Sequence, residues 1–186
     1  VWDDLDGQAN GVLTGNKTNK IGYGTSVGGA NVSVDYNKQQ DGGSAKSVAV
    51  DYAPADGAMI FIAKSDEYAG VNSSTDQVTF GGTYTTGAIT AGIQRTSIDL
   101  SAANSDADRT HIAASFAVNE DMSVSFGMST VEFESAAKSD QEDSGFSASY
   151  TMGSMSLTAA FNSSDNVGGT SGTDDEHKEI GLAFAF

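Results

Sequence analysis

From Lys20 to Phe186 the chain keeps returning to one pattern: segments of roughly ten residues in which apolar and small polar side chains take turns. In "KIGYGTSV" the large residues Ile21, Tyr23 and Val27 alternate with Lys20, Gly22, Gly24 and Ser26. In "ANVSVDYN" Val32, Val34 and Tyr36 alternate with Asn31, Ser33, Asp35 and Asn37. "QVTFGGTYTT", "MSVSFGMST", "GFSASYTM" and "SMSLTAAFN" repeat the pattern, and "EIGLAFAF" ends it with Ile180, Leu182, Phe184 and Phe186. Weaker copies are "SVAVDY", "AITAGIQ" and "THIAASFAV", whereas "GAMIFIAKS" is apolar on both faces. A period of two is the strand period, because successive side chains point to opposite faces of a sheet. No segment sustains the i, i+3, i+4, i+7 spacing of an amphipathic helix.

Eleven strands follow from the pattern, over residues 20–27, 30–37, 45–53, 58–66, 76–86, 88–98, 109–118, 122–134, 144–152, 154–163 and 177–186. Their connections alternate in length. Short ones fall at Gly28-Gly29, Pro54 to Gly57, Gly87, Asn119 to Asp121 and Gly153. Between them come the polar stretches "KQQDGGS", "EYAGVNSST", "DLSAANSDAD", "SAAKSDQED" and "SSDNVGGTSGTDDE". Tight turns at one end and long loops at the other are the layout of an outer-membrane barrel. The chain thus reads as all-β, a transmembrane antiparallel up-and-down barrel over residues 20–186, preceded by a non-alternating acidic segment, residues 1–19. Eleven is odd, and single-chain bacterial barrels have even strand numbers. An open sheet would leave unpaired edges in lipid, so this reading expects further strands ahead of Val1.

Composition narrows the function classes. The net charge of −16 and pI near 4.1 argue against a nucleic-acid partner, which a basic patch would attract. The absence of cysteine excludes disulfides and Cys-based zinc sites. No stretch approaches the ~20 apolar residues of a membrane helix, so only strands place this chain in a bilayer. A soluble β-sandwich also alternates, but the polar face here is Ser, Thr, Gly and Asn rather than Lys and Glu, which suits a lumen wall. His111 has the polar-face parity and His177 lies beside "DDE", yet no G-x-S-x-G, H-E-x-x-H or phosphate-loop motif accompanies them, so no catalysis is expected. Arg95 shares the parity of Ile89, Ala91 and Ile93, which points it outward.

The terminal alternating strand ending in Phe186 is similar to the closing strand of Gram-negative outer-membrane barrel proteins. The opening "VWDDLDGQANGVLTGNKTNK" followed by "IGYGTSVGGANVSVDY" resembles the region around the constriction loop of general diffusion porins of the alphaproteobacterial, Rhodobacter-like type. In that family the third loop folds into a barrel of about sixteen strands and about eleven strands follow it. The resemblance implies a trimeric, water-filled porin in the bacterial outer membrane, passing ions and small hydrophilic solutes, and covers the chain from its constriction loop onward. It makes Asp3, Asp4 and Asp6 the acidic side of the constriction, with Lys17 and Lys20 where the segment re-enters the wall. A net acidic lining favours cations. Phe186 becomes part of the signal for the outer-membrane assembly machinery. The same aspartates offer oxygen ligands for Ca²⁺, although "DDLDG" lacks the full EF-hand pattern. Carboxylates in "SDADR", "SDQEDS" and "TDDEHKE" are placed in external loops, hydrated or bridged by divalent ions to lipopolysaccharide. The second reading is a structural, adhesive or receptor barrel without a wide pore.

Overall fold

The computed structural model describes residues 20–38, 43–68 and 74–185, the side chain of Lys20 excepted. Within them the eleven strands are β1 (Lys20–Val27), β2 (Ala30–Lys38), β3 (Ser44–Ala55), β4 (Ala58–Tyr68), β5 (Ser74–Thr86), β6 (Ile89–Leu100), β7 (Ala107–Ala117), β8 (Met122–Phe133), β9 (Gln141–Met152), β10 (Met155–Asp165) and β11 (Asp175–Phe184). They form one sheet in which every strand is hydrogen-bonded to the next in sequence order, an up-and-down antiparallel arrangement with β1 and β11 at the ends of the order. The only helical element described is a 3-10 turn, Val167–Gly169. No helix among the described residues is long and apolar enough to cross a membrane.

Contacts divide the chain into two compact units. One holds β1 to β4 together with β5 up to Gly82 and the stretch Arg95–Asp108; the other holds Thr83–Gln94 and everything described from Arg109 onward. In the first unit the register Ile21↔Tyr36, Tyr23↔Val34 and Val27↔Ala30 continues as Val34↔Val48 and Val50↔Ile62, so one face carries the large apolar side chains. The opposite face carries Gly22↔Asp35, Ser33↔Ala49 and Ser47↔Ser65. The second unit repeats this with Phe126↔Phe146 and Phe146↔Phe161 on one face, and Ser125↔Ser147 and Ser149↔Thr158 on the other.

Burial is inverted relative to a water-soluble protein. Within the strands the residues with almost no exposure are Asn37, Ala45, Ser65, Thr79, Thr96, His111 and Val131, and all have the parity of the polar face. Large apolar side chains on the other face are open even in strands flanked on both sides, Ile62 at 53% and Met128 at 55% exposure. Of the exposed large apolar residues, Met59, Leu100 and Val167 depart from this face, and each lies beside a turn, at a strand end or in a loop. A contiguous apolar surface of this kind in water is a strong liability; in hydrocarbon it is the required surface.

The turns follow from their residues. Gly28 and Gly29 have φ of 60° and 86°, the left-handed pair that a two-residue hairpin turn requires and that only glycine adopts without cost. The β3–β4 connection is shorter than the sequence suggests. The turn is only Asp56-Gly57, and β3 runs on to Ala55 through a register shift between Tyr52 and Ala55. Pro54 sits in that bulge, where its missing N–H costs no ladder hydrogen bond. At the long-connection end, β5, β7, β9 and β11 begin earlier than the alternation indicates, at Ser74, Ala107, Gln141 and Asp175. Much of "SDADR", "SDQEDS" and "TDDEHKE" is therefore strand rather than loop.

Candidate functional site: the polar face of the sheet

The residues singled out for the constriction, Asp3, Asp4, Asp6 and Lys17, lie outside the described residues, as does Phe186. Lys20 opens β1 opposite Asn37, and only its backbone is described. What the structure does describe is the wall on which such a segment would act.

The wall is a hydrogen-bonded lattice of small polar side chains. In the first unit Ser26 Oγ donates to Asn31 Oδ1 at 2.6 Å, and Asn31 Nδ2 donates to Asp51 Oδ2 at 2.8 Å. Thr79 and Thr96 pair their hydroxyls at 3.0 Å, almost fully buried. In the second unit Thr85 pairs with Thr90 at 2.9 Å, Ser123 with Ser149 at 2.7 Å and Ser125 with Ser147 at 2.6 Å. Ser129 Oγ donates to Asp143 Oδ2 at 2.7 Å, and Gln141 Nε2 to Asp143 Oδ1 at 2.9 Å. Such cross-strand pairs each contribute a few tenths to about 1 kcal/mol. Hydroxyls and amides keep further donors and acceptors for water. Glycine makes the wall thin where a polar side chain crosses it. A Cβ at Gly22 would collide with the Asp35 carboxylate, one at Gly145 would lie 2.6 Å from Asn162 Oδ1, and one at Gly181 would lie 2.7 Å from Thr158 Oγ1.

The charges on this face are unequal in sign. In the first unit they are the carboxylates of Asp35, Asp51 and Glu67, by register with Gly22, Asn31 and Ala45. In the second unit Asp143, Asp175 and Glu179 stand on the same face as Arg109, His111 and His177. His177 Nε2 lies 3.6 Å from Glu179 Oε2, both well exposed. Among the described residues no cluster of three metal-ligating side chains occurs. Asp35 and Asp51 were legible from parity, but the denser aspartates of the opening segment overshadow them in the sequence.

The other face is not wholly apolar. At its long-connection end Lys46 and Lys64 flank Asp66, at 3.2 and 3.4 Å, and Arg95 donates to Asp108 at 3.0 Å. The outward direction expected of Arg95 is thus met, and its partner is a carboxylate on the same face.

No protein-family model matches this chain, and no curated protein is similar to it in sequence. Solved structures are similar in fold. An anion-selective porin from Comamonas acidovorans superposes with a TM-score of 0.72 at 16% identity, over 91% of this chain and 60% of that one. An outer-membrane protein of Vibrio cholerae, OmpT lacking loop L8, gives 0.70 at 15% identity, over 89% and 62%. A mutant porin of Rhodopseudomonas blastica gives 0.62 at 17% identity, over 90% and 55%. The chain therefore spans about 60% of the length of the first structures it matches. Its eleven-stranded sheet has the fold of the bacterial porin barrels.

Proposed function

We propose that this chain is the greater part of an outer-membrane porin, a non-catalytic channel for passive diffusion of ions and small hydrophilic solutes that prefers cations. The observation that carries the reading is the inverted sheet: large apolar side chains exposed on one face, and hydroxyls, amides and carboxylates hydrogen-bonded along the other. A sheet with lipid on one side and water on the other calls for this division. Barrels of about sixteen strands leave an aqueous channel, whereas about eight fill their interior with side chains. The likeness to porins of greater length supports the wider kind.

Cation preference rests on the charges of the wall. Asp35, Asp51, Glu67, Asp143, Asp175 and Glu179 outnumber Arg109 and Lys20, which opens β1 opposite Asn37. A lining of one sign concentrates the opposite ion and repels its own. The Comamonas porin is anion-selective, so shared fold does not decide selectivity. Asp3, Asp4, Asp6, Lys17 and Lys20 belong to this proposal as the constriction, residues 1–19 as the loop that carries them, and Phe186 as the assembly signal. The assembled form is a homotrimer in the outer membrane, in contact with lipopolysaccharide. Reversal potentials across a tenfold KCl gradient test the selectivity, with the potential expected on the cation side. A value on the anion side, or one unmoved by Asp35→Asn with Asp51→Asn and Asp3, Asp4 and Asp6 changed to Asn, removes these groups from the permeation path.

A further inference from the structure

One aromatic ring interrupts the polar wall. Among the described strand residues only Phe61 and Phe133 are aromatic with the parity of the polar face. Phe133 ends β8, and the Lys138 ammonium lies 4.2 Å from the centre of its ring. Phe61 lies within β4, directly opposite Asp51. Cross-strand partners of this kind share a face, with Cβ atoms about 4.5–5.5 Å apart. The row continues from Asp51 to Asn31 and from Asn31 to Ser26, across β3, β2 and β1 near the tight turns. On the other side Gly82 abuts β4, its Cβ position 3.2 Å from Ile60 Cγ2. That contact sets Gly81 beside Phe61, with no side chain to cover the ring. Phe61 is accordingly half-buried and not sealed in a core.

We infer that Phe61 and Asp51 form a subsite for an organic ammonium ion, a cation that carries hydrocarbon. The inference rests on the porin reading above and names the kind of solute that a cation-preferring wall retains. The hydrogen bonds of the row decide what the site can take. Ser26 Oγ donates to Asn31 Oδ1 at 2.6 Å, and Asn31 Nδ2 donates to Asp51 Oδ2 at 2.8 Å. The donors run one way and end on a carboxylate, which keeps several further acceptor positions. A ligand there must donate, and a carboxylate favours a donor that is positively charged. The ring adds a second demand. Its face attracts a cation within about 6 Å of the centroid, and its carbon surface covers alkyl groups. A hydrated potassium ion uses the carboxylate alone, whereas an alkylammonium ion uses both groups. Other carboxylates of the wall lack such a ring: Asp35 stands opposite Gly22 and Ser47, and Asp143 opposite Ser129 and Ser164.

The test measures single-channel conductance of the full protein in planar bilayers against salt concentration, in KCl and in n-butylammonium chloride. A permeant ion that binds makes conductance saturate, so the half-saturating concentration reads its affinity. The unaltered protein saturates at lower concentration in butylammonium chloride than in KCl. Phe61→Leu raises the half-saturating butylammonium concentration about two- to fivefold, with the KCl curve of the same variant as reference. Phe61→Trp, whose ring attracts cations more strongly, lowers it. Asp51→Asn raises it by up to about fivefold. Parallel curves for the two salts in the unaltered protein overturn the subsite, as does a Phe61→Leu curve that matches the parent. If Phe61→Leu fails to insert, Phe61→Trp decides, and no gain in butylammonium affinity there overturns the inference. Protein that gives KCl steps without butylammonium preference refutes the subsite alone. Protein that enters bilayers and gives no KCl steps refutes the porin reading and the subsite together.

Discussion

Adjacent residues in β8 give opposite answers according to what surrounds the sheet. Phe126 is on the open apolar face, fifth of the twelve residues of its strand, in register with Phe146. Ser125 faces the other way, its hydroxyl 2.6 Å from that of Ser147. With lipid on the Phe126 side, Phe126→Arg places a guanidinium in hydrocarbon at about 2–4 kcal/mol. It also withdraws a phenyl ring from apolar surroundings, about 1.5–3 kcal/mol more. The total is roughly 4–7 kcal/mol, a large part of the stability of an ordinary domain. Ser125→Arg breaks one hydroxyl pair, about 0.5–1.5 kcal/mol, and leaves its charge in water. Reversible urea unfolding in lipid vesicles, read by tryptophan fluorescence, measures both. If the sheet were water-soluble, Phe126 at 50% exposure would be an ordinary surface position, and Arg there would shift stability by less than about 0.5 kcal/mol. A silent Phe126→Arg beside a disruptive Ser125→Arg would refute the assignment of the faces.

Other outcomes follow from particular contacts. Gly82→Val should destabilise by about 1–3 kcal/mol in the same unfolding assay, because its Cβ would lie 2.8 Å from the Met59 carbonyl oxygen, a backbone atom with little room to yield. Replacing Gly28 and Gly29 together by Ala should cost about 1–2 kcal/mol per residue and slow refolding into vesicles, since both hold positive φ. Asn166 ties the β10–β11 connection to the β8–β9 connection through Nδ2 to the Asp140 carbonyl at 3.0 Å, and accepts from the Gly172 N–H at 3.0 Å. Asn166→Gly keeps the left-handed backbone but loses both bonds, and limited proteolysis should then cut residues 166–174 faster, with strand stability unchanged.

The strands were legible because a face in lipid demands a large apolar residue at every second position, and that demand is visible in Ile21, Tyr23 and Val27 or in Phe146, Ala148 and Tyr150. Strand ends were less so. Ser74, Ala107, Gln141 and Asp175 extend pairing beyond the large apolar residues, where the alternation carries no signal. The two-faced segment "AMIFIA" is resolved by its partners: Ile60 and Ile62 stand with Tyr52 and Val50, and Phe61 stands opposite Asp51 on the polar side. The ionic groups of the apolar face were hidden for a related reason. Lys46, Lys64 and Asp66 occupy positions that alternation reserves for apolar residues, and only the register shows them as one cluster. Asp35 and Asp51 could be placed on the wall by parity, but the Asn31 link from Ser26 to Asp51 needed the pairing of three strands.

Planar-bilayer conductance of the full protein tests the central claim most directly. The account predicts large, weakly voltage-dependent steps whose reversal potential lies on the cation side. Stable insertion without such steps would mean a closed lumen, and would contradict the porin reading in favour of a structural or receptor barrel.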